Sequence, residues 1–252
     1  MTDRPPHAFR TTRWTQVVAA HGKTPEAKQA LRELCETYYG PVELFVRRSR
    51  GGVDDARDLT HEFFAKLLEG NSLDNADRTR GRFRSYLLGA VKHFLSDQQD
   101  RDQTLKRGGG QRLQSLDQSS GEDDSGRAES LTIADPHGFP PDAYFDRQWA
   151  LAVVEQAMSV LRAEAESNGE LARFKVLQRW LVTPSSHGTA IEAARSLNLS
   201  DGAFKVAVHR LRKRFRQVIV DRITATVSDP VEVQDELHEL ISAMTLTTTS
   251  GP

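Results

Sequence analysis

Cysteine, long apolar runs and net charge are all scarce in this sequence. The one cysteine, Cys35, admits neither an internal disulfide nor a cysteine-built zinc site. No stretch approaches the roughly 18 uninterrupted apolar residues of a membrane span, and the N-terminus carries no apolar signal-like core. Neither export nor membrane association is expected, and the expected location is the cytoplasm. Catalytic constellations are missing as well. Gly108, Gly109 and Gly110 are not followed by the Gly-Lys-Ser/Thr of a phosphate loop, and the eight histidines include no HExxH pair. Isolated histidines such as His187 and His238 read as surface or capping residues. Cys35 sits on an apolar helical stripe, which argues against a nucleophile. The chain is therefore read as a non-enzyme with no metal and no cofactor.

Net charge is -1, from 34 Lys and Arg against 35 Asp and Glu, so bulk charge points to no particular partner. Its distribution does. Residues 78–107 hold eight Lys and Arg against three acids, and residues 200–222 hold seven against two. Residues 117–142 hold seven acids against one Arg, and residues 227–241 hold five acids with no Lys or Arg. Basic and acidic blocks thus alternate along a nearly neutral chain.

With 252 residues, 38% hydrophobic and 27% charged, the chain suits one large or two small globular domains. Apolar residues recur at helical spacings of three and four, and no alternating strand pattern appears. A short helix is expected around Trp14, Val17 and Val18. Leu31, Leu34, Cys35, Tyr38, Val42 and Phe45 mark a second over residues 25–48, which Pro41 would kink or end early. Asp54 and Asp55 open a third through Leu68, with Leu59, Phe63 and Leu67 as its inner face. Phe83, Leu87, Ala90, Val91, Phe94 and Leu95 define a basic amphipathic fourth. The Gly-, Ser- and Pro-rich segment that follows buries too little apolar surface to order itself and reads as a mobile acidic linker. Helices resume from Asp142. The expectation is an all-α fold of two helical modules on a flexible tether: an extension 1–24, a module 25–106, a linker 107–141, a module 142–226 and an acidic extension 227–252.

Residues 189–215, TAIEAARSLNLSDGAFKVAVHRLRKRF, read as helix, turn, helix. Ile191, Ala194 and Leu197 face inward, Asn198 and Leu199 make the turn, Ser200 caps the next helix and Asp201 favours its first turn. Phe204, Val208, Leu211, Phe215 and Ile219 form that helix's inner stripe. Its other face presents Gly202, Val206, His209, Arg210 and Lys213, flanked by Lys205, Arg212, Arg214 and Arg216. A small N-terminal end with cations behind it suits entry into a major groove, with the later cations reaching phosphates.

This segment resembles region four of bacterial sigma factors of the extracytoplasmic-function (ECF) type. Their LGIS-x-G-x-VK-x-x-x-x-RAR pattern is matched by Leu197, Asn198, Leu199, Ser200, Gly202, Phe204, Lys205, Arg210, Leu211 and Arg212, with Asn198 in place of the turn glycine. Asn tolerates the left-handed conformation that such a turn needs. Residues 54–68, DDARDLTHEFFAKLL, are similar to the DAEDLxQExFLxL helix of region two through Asp55, Asp58, Glu62 and Phe63, while Arg57 and His61 depart from it. Residues 81–101, GRFRSYLLGAVKHFLSDQQDR, resemble the part of region two that melts the -10 promoter element. Region two, linker and region four follow in the family's order.

The resemblance implies a promoter-specificity subunit that binds core RNA polymerase and promoter DNA. Asp55, Asp58, Glu62 and Phe63 would meet the clamp helices of the largest subunit, with the polymerase flap as a further partner. At the -10 element, Arg82, Arg84, Lys92, His93 and Arg101 would track the backbone and Ser85, Ser96 and Asp97 would neighbour bases. At the -35 element the expected contacts are Ser200, Gly202, Lys205, Val206, His209, Arg210, Arg212 and Lys213. Phe83, Tyr86 and Phe94 are expected in the core. Thr60 is a candidate phosphorylation site, because a phosphate would add about -1.5 to -2 charge to the polymerase-facing helix. A kinase and an anti-sigma factor are the corresponding regulatory partners. The rival readings are a stand-alone helix-turn-helix regulator and a DNA-processing enzyme using Asp54, Asp55 and Asp58 as metal ligands.

After Pro230, Val233, Leu237, Leu240, Ile241 and Met244 outline an amphipathic helix too short to be stable alone. Two dockings suit it. Its acids could screen the DNA face of region four, or its stripe could complete the region-four core with the acids in water.

Overall fold

The computed structural model describes residues 13–19, 24–50, 54–69, 82–106, 140–181, 187–229 and 231–245. These form nine helices: α1 (Arg13–Ala19), α2 (Pro25–Arg50), α3 (Asp54–Leu68), α4 (Phe83–Lys106), α5 (Pro141–Ser167), α6 (Leu171–Leu177), α7 (His187–Ser196), α8 (Asp201–Thr226) and α9 (Glu232–Thr245), with a short 3-10 turn at Gln178–Trp180. The chain is all-α, as expected. Most of the anticipated linker, residues 107–139, lies outside the described residues.

Helix α2 begins where Thr24 accepts the Ala27 N–H at 3.2 Å. It continues through Pro41 to Arg50, so the helix does not end early at the proline. Pro41 is itself buried, so packing on both sides of the helix outweighs the one lost backbone bond. Aromatic rings then join α1, α2 and α4. Trp14 lies 5.1 Å from Phe83 and 5.3 Å from Tyr86, and Tyr38 meets Phe83 edge-on at 5.0 Å. Phe63 of α3 contacts Phe94 of α4 at 5.6 Å. The core placement of Phe83, Tyr86 and Phe94 is therefore as expected.

The core does not stop at the first module. Phe145, Trp149 and Val153 of α5 pack into it, with Phe45 and Phe145 edge-to-face at 5.8 Å. The same cluster takes in Val218, Ile219 and Ile223 from the far end of α8 and Val233, Leu237, Leu240 and Ala243 from α9. An isolated antiparallel bridge pairs Arg82, just before α4, with Val227, just after α8. In this arrangement the two modules lie against each other.

A second, smaller core joins the helix-turn-helix to the end of α6 and the 3-10 turn that follows it. Trp180 and Phe204 meet edge-on at 5.1 Å, with Leu177, Ala193, Ala194, Ala207 and Val208 around them. The turn between α7 and α8 is a Schellman motif. Asn198 takes φ 53, its N–H donates to Arg195 O at 3.0 Å, and the Leu199 N–H donates to Ala194 O at 2.9 Å. The left-handed residue is thus the asparagine that the sequence singled out. Ser200 then caps α8, its hydroxyl accepting the Ala203 N–H at 3.3 Å. Because that cap satisfies an otherwise orphaned donor, Ser200→Ala is expected to destabilise the protein by about 1 kcal/mol in urea unfolding. A change of under a few tenths would mean that α8 starts without help from its cap.

Candidate nucleic-acid interface

Helix α8 places its cations by register. Phe204, Val208 and Ile219 are buried, Leu211 and Phe215 half-buried, so Gly202, Lys205, Val206, His209, Arg210 and Lys213 all face solvent on the other side. Val206 is 50% exposed, an uncovered apolar side chain in the middle of a polar face. Arg212 is exposed but not fully free, since its Nε donates to the Trp180 carbonyl at 2.8 Å. That bond ties the recognition helix to the turn behind it. Arg214 pairs with Glu164 of α5, and the hydrogen bond from Arg214 holds the Glu164 carboxyl below the usual range.

Helix α3 turns Ala56, Thr60, Phe63, Phe64 and Leu67 inward and leaves Asp55, Arg57, Asp58 and His61 exposed. Two expectations change here. Phe63 is 3% exposed and packs on Phe64 and Phe94, so it supports the helix from within and presents no surface to a partner. Thr60 is 0% exposed, and its hydroxyl donates to the Ala56 carbonyl at 2.7 Å. A kinase has no access to that oxygen, and a phosphate has no room beside it. Glu62 is half-buried, accepting hydrogen bonds from Lys66 at 2.6 Å and Gln98 at 2.8 Å. The Lys66 hydrogen bond leads in holding its carboxyl below the usual range, against a smaller opposing effect of burial.

Helix α4 splits the -10 candidates into two groups. Ser85, His93, Asp97 and Arg101 are exposed and Ser96 is half-buried. The other three cations are engaged by carboxylates of α5 and α9. Arg82 donates to Glu236 at 3.1 Å and lies 3.6 Å from Asp235. Lys92 pairs with Asp142 at 2.7 Å. Arg84 is 7% exposed; its Nε and Nη2 donate to the two oxygens of Glu236 at 2.9 and 3.1 Å, its Nη1 to Asp146. The guanidinium also stacks 4.5 Å over the Trp149 ring. All three nitrogens are used, so the expected phosphate contact of Arg84 is not available in this arrangement.

Burial opposes the Arg84 charge, but hydrogen bonds and charges from Glu236 and Asp146 outweigh it and raise its pKa above the ordinary arginine value. For Asp146, burial raises the carboxyl pKa and Arg84 offsets only part of the rise. Nothing in the residue pattern marked Asp146 as a partner. Glu236 did leave a sign, being an acid among the apolar positions of the α9 stripe at Val233, Leu237 and Leu240.

The α9 helix follows neither docking as drawn. Its apolar side completes the main core against α5 and α8, with Val233, Leu237, Leu240 and Ala243 buried. Ile241, assigned to that stripe, is 51% exposed. Asp235 and Glu236 reach α4, and the DNA face of α8 remains exposed.

A family model described as ECF sigma factor matches residues 27–219. The chain belongs to the ECF sigma factor family. It is accordingly an RNA polymerase sigma factor, a DNA-binding transcription initiation factor whose partners are core RNA polymerase and promoter DNA. Comparison with curated proteins returns no match, and comparison with solved structures returns none. Among the described residues of this sigma factor, no helix is long and apolar enough to cross a membrane, and no group of three or more His, Cys, Asp or Glu is placed to hold a metal ion.

Proposed function

We propose that this sigma factor reads the -35 promoter element with the exposed face of α8, opens the -10 element with α4, and docks on the clamp helices of the largest polymerase subunit through Asp55 and Asp58 of α3. Residues 25–106 and 142–226 are the two working modules in this reading. The observation that carries it is the α8 face: Gly202, Lys205, Val206, His209, Arg210 and Lys213 are all solvent-facing on one capped helix that follows a left-handed turn. Gly202 and Val206 lie in its first turns, where a helix end reaches base edges, and the exposed valine suits contact with a thymine methyl.

Gel shifts on promoter DNA with and without core polymerase test the reading. Binding is expected to require core, whereas a stand-alone regulator binds DNA by itself. Within the complex, Ala variants of Lys205, His209 and Arg210 are expected to change upstream-element preference, while an Arg216→Ala variant weakens all promoters alike. Equal weakening of every promoter by all four variants would place base readout elsewhere.

A further inference from the structure

The outer surface of α3 carries more than its acids. Residues three and four apart share a helix face, so Asp55, Asp58 and Glu62 fall on one ridge and Arg57 and His61 on another. Ala65, small and exposed, lies in the line between the two ridges and leaves a groove there.

The second ridge is anchored from behind. The His61 ring lies 5.6 Å from the ring of Tyr39 on α2, which also stacks on Phe64 at 5.6 Å. Phe64 is buried, so the three rings run from the core to an exposed imidazole. Arg57 is exposed one helical turn before His61. Burial and then Glu43 push the Tyr39 hydroxyl above its ordinary pKa, and Arg57 opposes them, which sets its charge at the same ring. A guanidinium offers a fork of N–H donors that matches a carboxylate, and an imidazole adds another N–H. Phosphates would match this fork as well, but the acids of the adjoining ridge repel a polyanion. A protein surface with a carboxylate beside a cation suits both ridges at once.

The residue pattern points the same way. Arg57 replaces the second acid, and His61 the glutamine, of the DAEDLxQExFLxL pattern. One reversed charge inside a docking face is tolerated only when an opposite charge faces it, because like charges across an interface select against a partner.

We propose that Arg57 and His61 form a carboxylate-binding ridge, which engages an Asp or Glu side chain of core polymerase next to the surface met by Asp55 and Asp58 and so selects the polymerase this sigma factor docks on. This inference rests on the polymerase role given to α3 above.

The full-length chain and purified core test the ridge. Arg57→Glu should lower core affinity about 20-fold by setting like charges against each other. Arg57→Lys should lower it about threefold, since the charge stays and the fork is lost. Both are surface changes, so the fold is kept. A photoreactive benzoylphenylalanine in place of His61 should cross-link to a polymerase segment that contains an Asp or Glu. Changing that acid to Lys in core should weaken the unaltered chain and restore Arg57→Glu to within about threefold of normal affinity. Loss of affinity with Asp58→Arg but not with Arg57→Glu overturns the ridge and leaves α3 docking in place. So does the absence of a cross-link to an acid-bearing segment, or of rescue by the Lys change. No loss with either Asp58→Arg or Arg57→Glu removes α3 docking and the ridge together. Unchanged core affinity with weaker promoter binding by the Arg57→Glu holoenzyme would assign the ridge to nucleic acid and overturn it as well.

Discussion

Replacing Arg84 with alanine is expected to destabilise the protein by about 3–5 kcal/mol, the range for breaking a buried ion pair from one side. The reason lies in what remains. Glu236 is 0% exposed and would lose two of its three hydrogen bonds, keeping only the one from Arg82, and Trp149 would lose the guanidinium stacked on its face. Removing both charges together is a different matter. In the pair Arg84→Met with Glu236→Leu, apolar side chains of similar size replace the ions within a core already formed by Trp149, Phe145 and Leu240. Desolvation of two charges is then avoided, and the double variant should recover most of the lost stability. Urea unfolding of the four members of this cycle measures the coupling. A single Arg84→Ala loss below about 1 kcal/mol, with additive effects in the cycle, would show that the guanidinium is solvated in solution and that the modules are not held through it.

Local features were legible because they depend on neighbours in sequence. The bounds of α3 follow from Asp54 and Asp55 after a Gly-Gly break, and the helix observed covers the expected residues 54–68. Asn198 and Ser200 announced a left-handed turn and a cap, both of which depend on groups within five residues. The basic outer face of α8 followed from the register of Phe204, Val208 and Ile219 alone.

What was not legible depends on partners far away. The bonds of Arg84 to Glu236 span 152 residues, and nothing in the charge pattern of α4 says whether a given cation will meet a phosphate or a carboxylate. Thr60 illustrates a nearer failure. Taking Leu59, Phe63 and Leu67 as the stripe set the inner face slightly wrong. The buried set is Ala56, Thr60, Phe63, Phe64 and Leu67, so a threonine expected at the surface points inward. Thr60 is four residues after a small Ala and three before Phe63, and that spacing was the available signal. Its hydroxyl avoids a burial penalty by donating back to the Ala56 carbonyl, a bond that an unmodified threonine can make and a phosphorylated one cannot.

The same rotation of α3 sharpens the test of the polymerase contact. With Thr60 and Phe63 turned inward and Glu62 tied to Lys66 and Gln98, Asp58 is, with Asp55, an exposed acid whose charge can be reversed without touching the core. Asp58→Arg is expected to leave stability within about 0.5 kcal/mol, as for other surface changes. It should nevertheless lower affinity for core polymerase by about 100-fold or more, because like charges brought together across an interface cost several kcal/mol. Glu62→Arg is the weaker test, since it also removes the bond to Lys66 within α3 and the bond to Gln98 that joins α3 to α4. Fluorescence anisotropy of labelled sigma factor titrated with core reads the affinity, with Glu192→Arg on α7 as an exposed charge-reversal control. If Asp58 acts through charge, the difference between unaltered chain and variant should shrink as salt rises and the Debye length falls toward about 3 Å at 1 M. Affinity of folded Asp58→Arg within threefold of the unaltered chain would move the polymerase contact off α3.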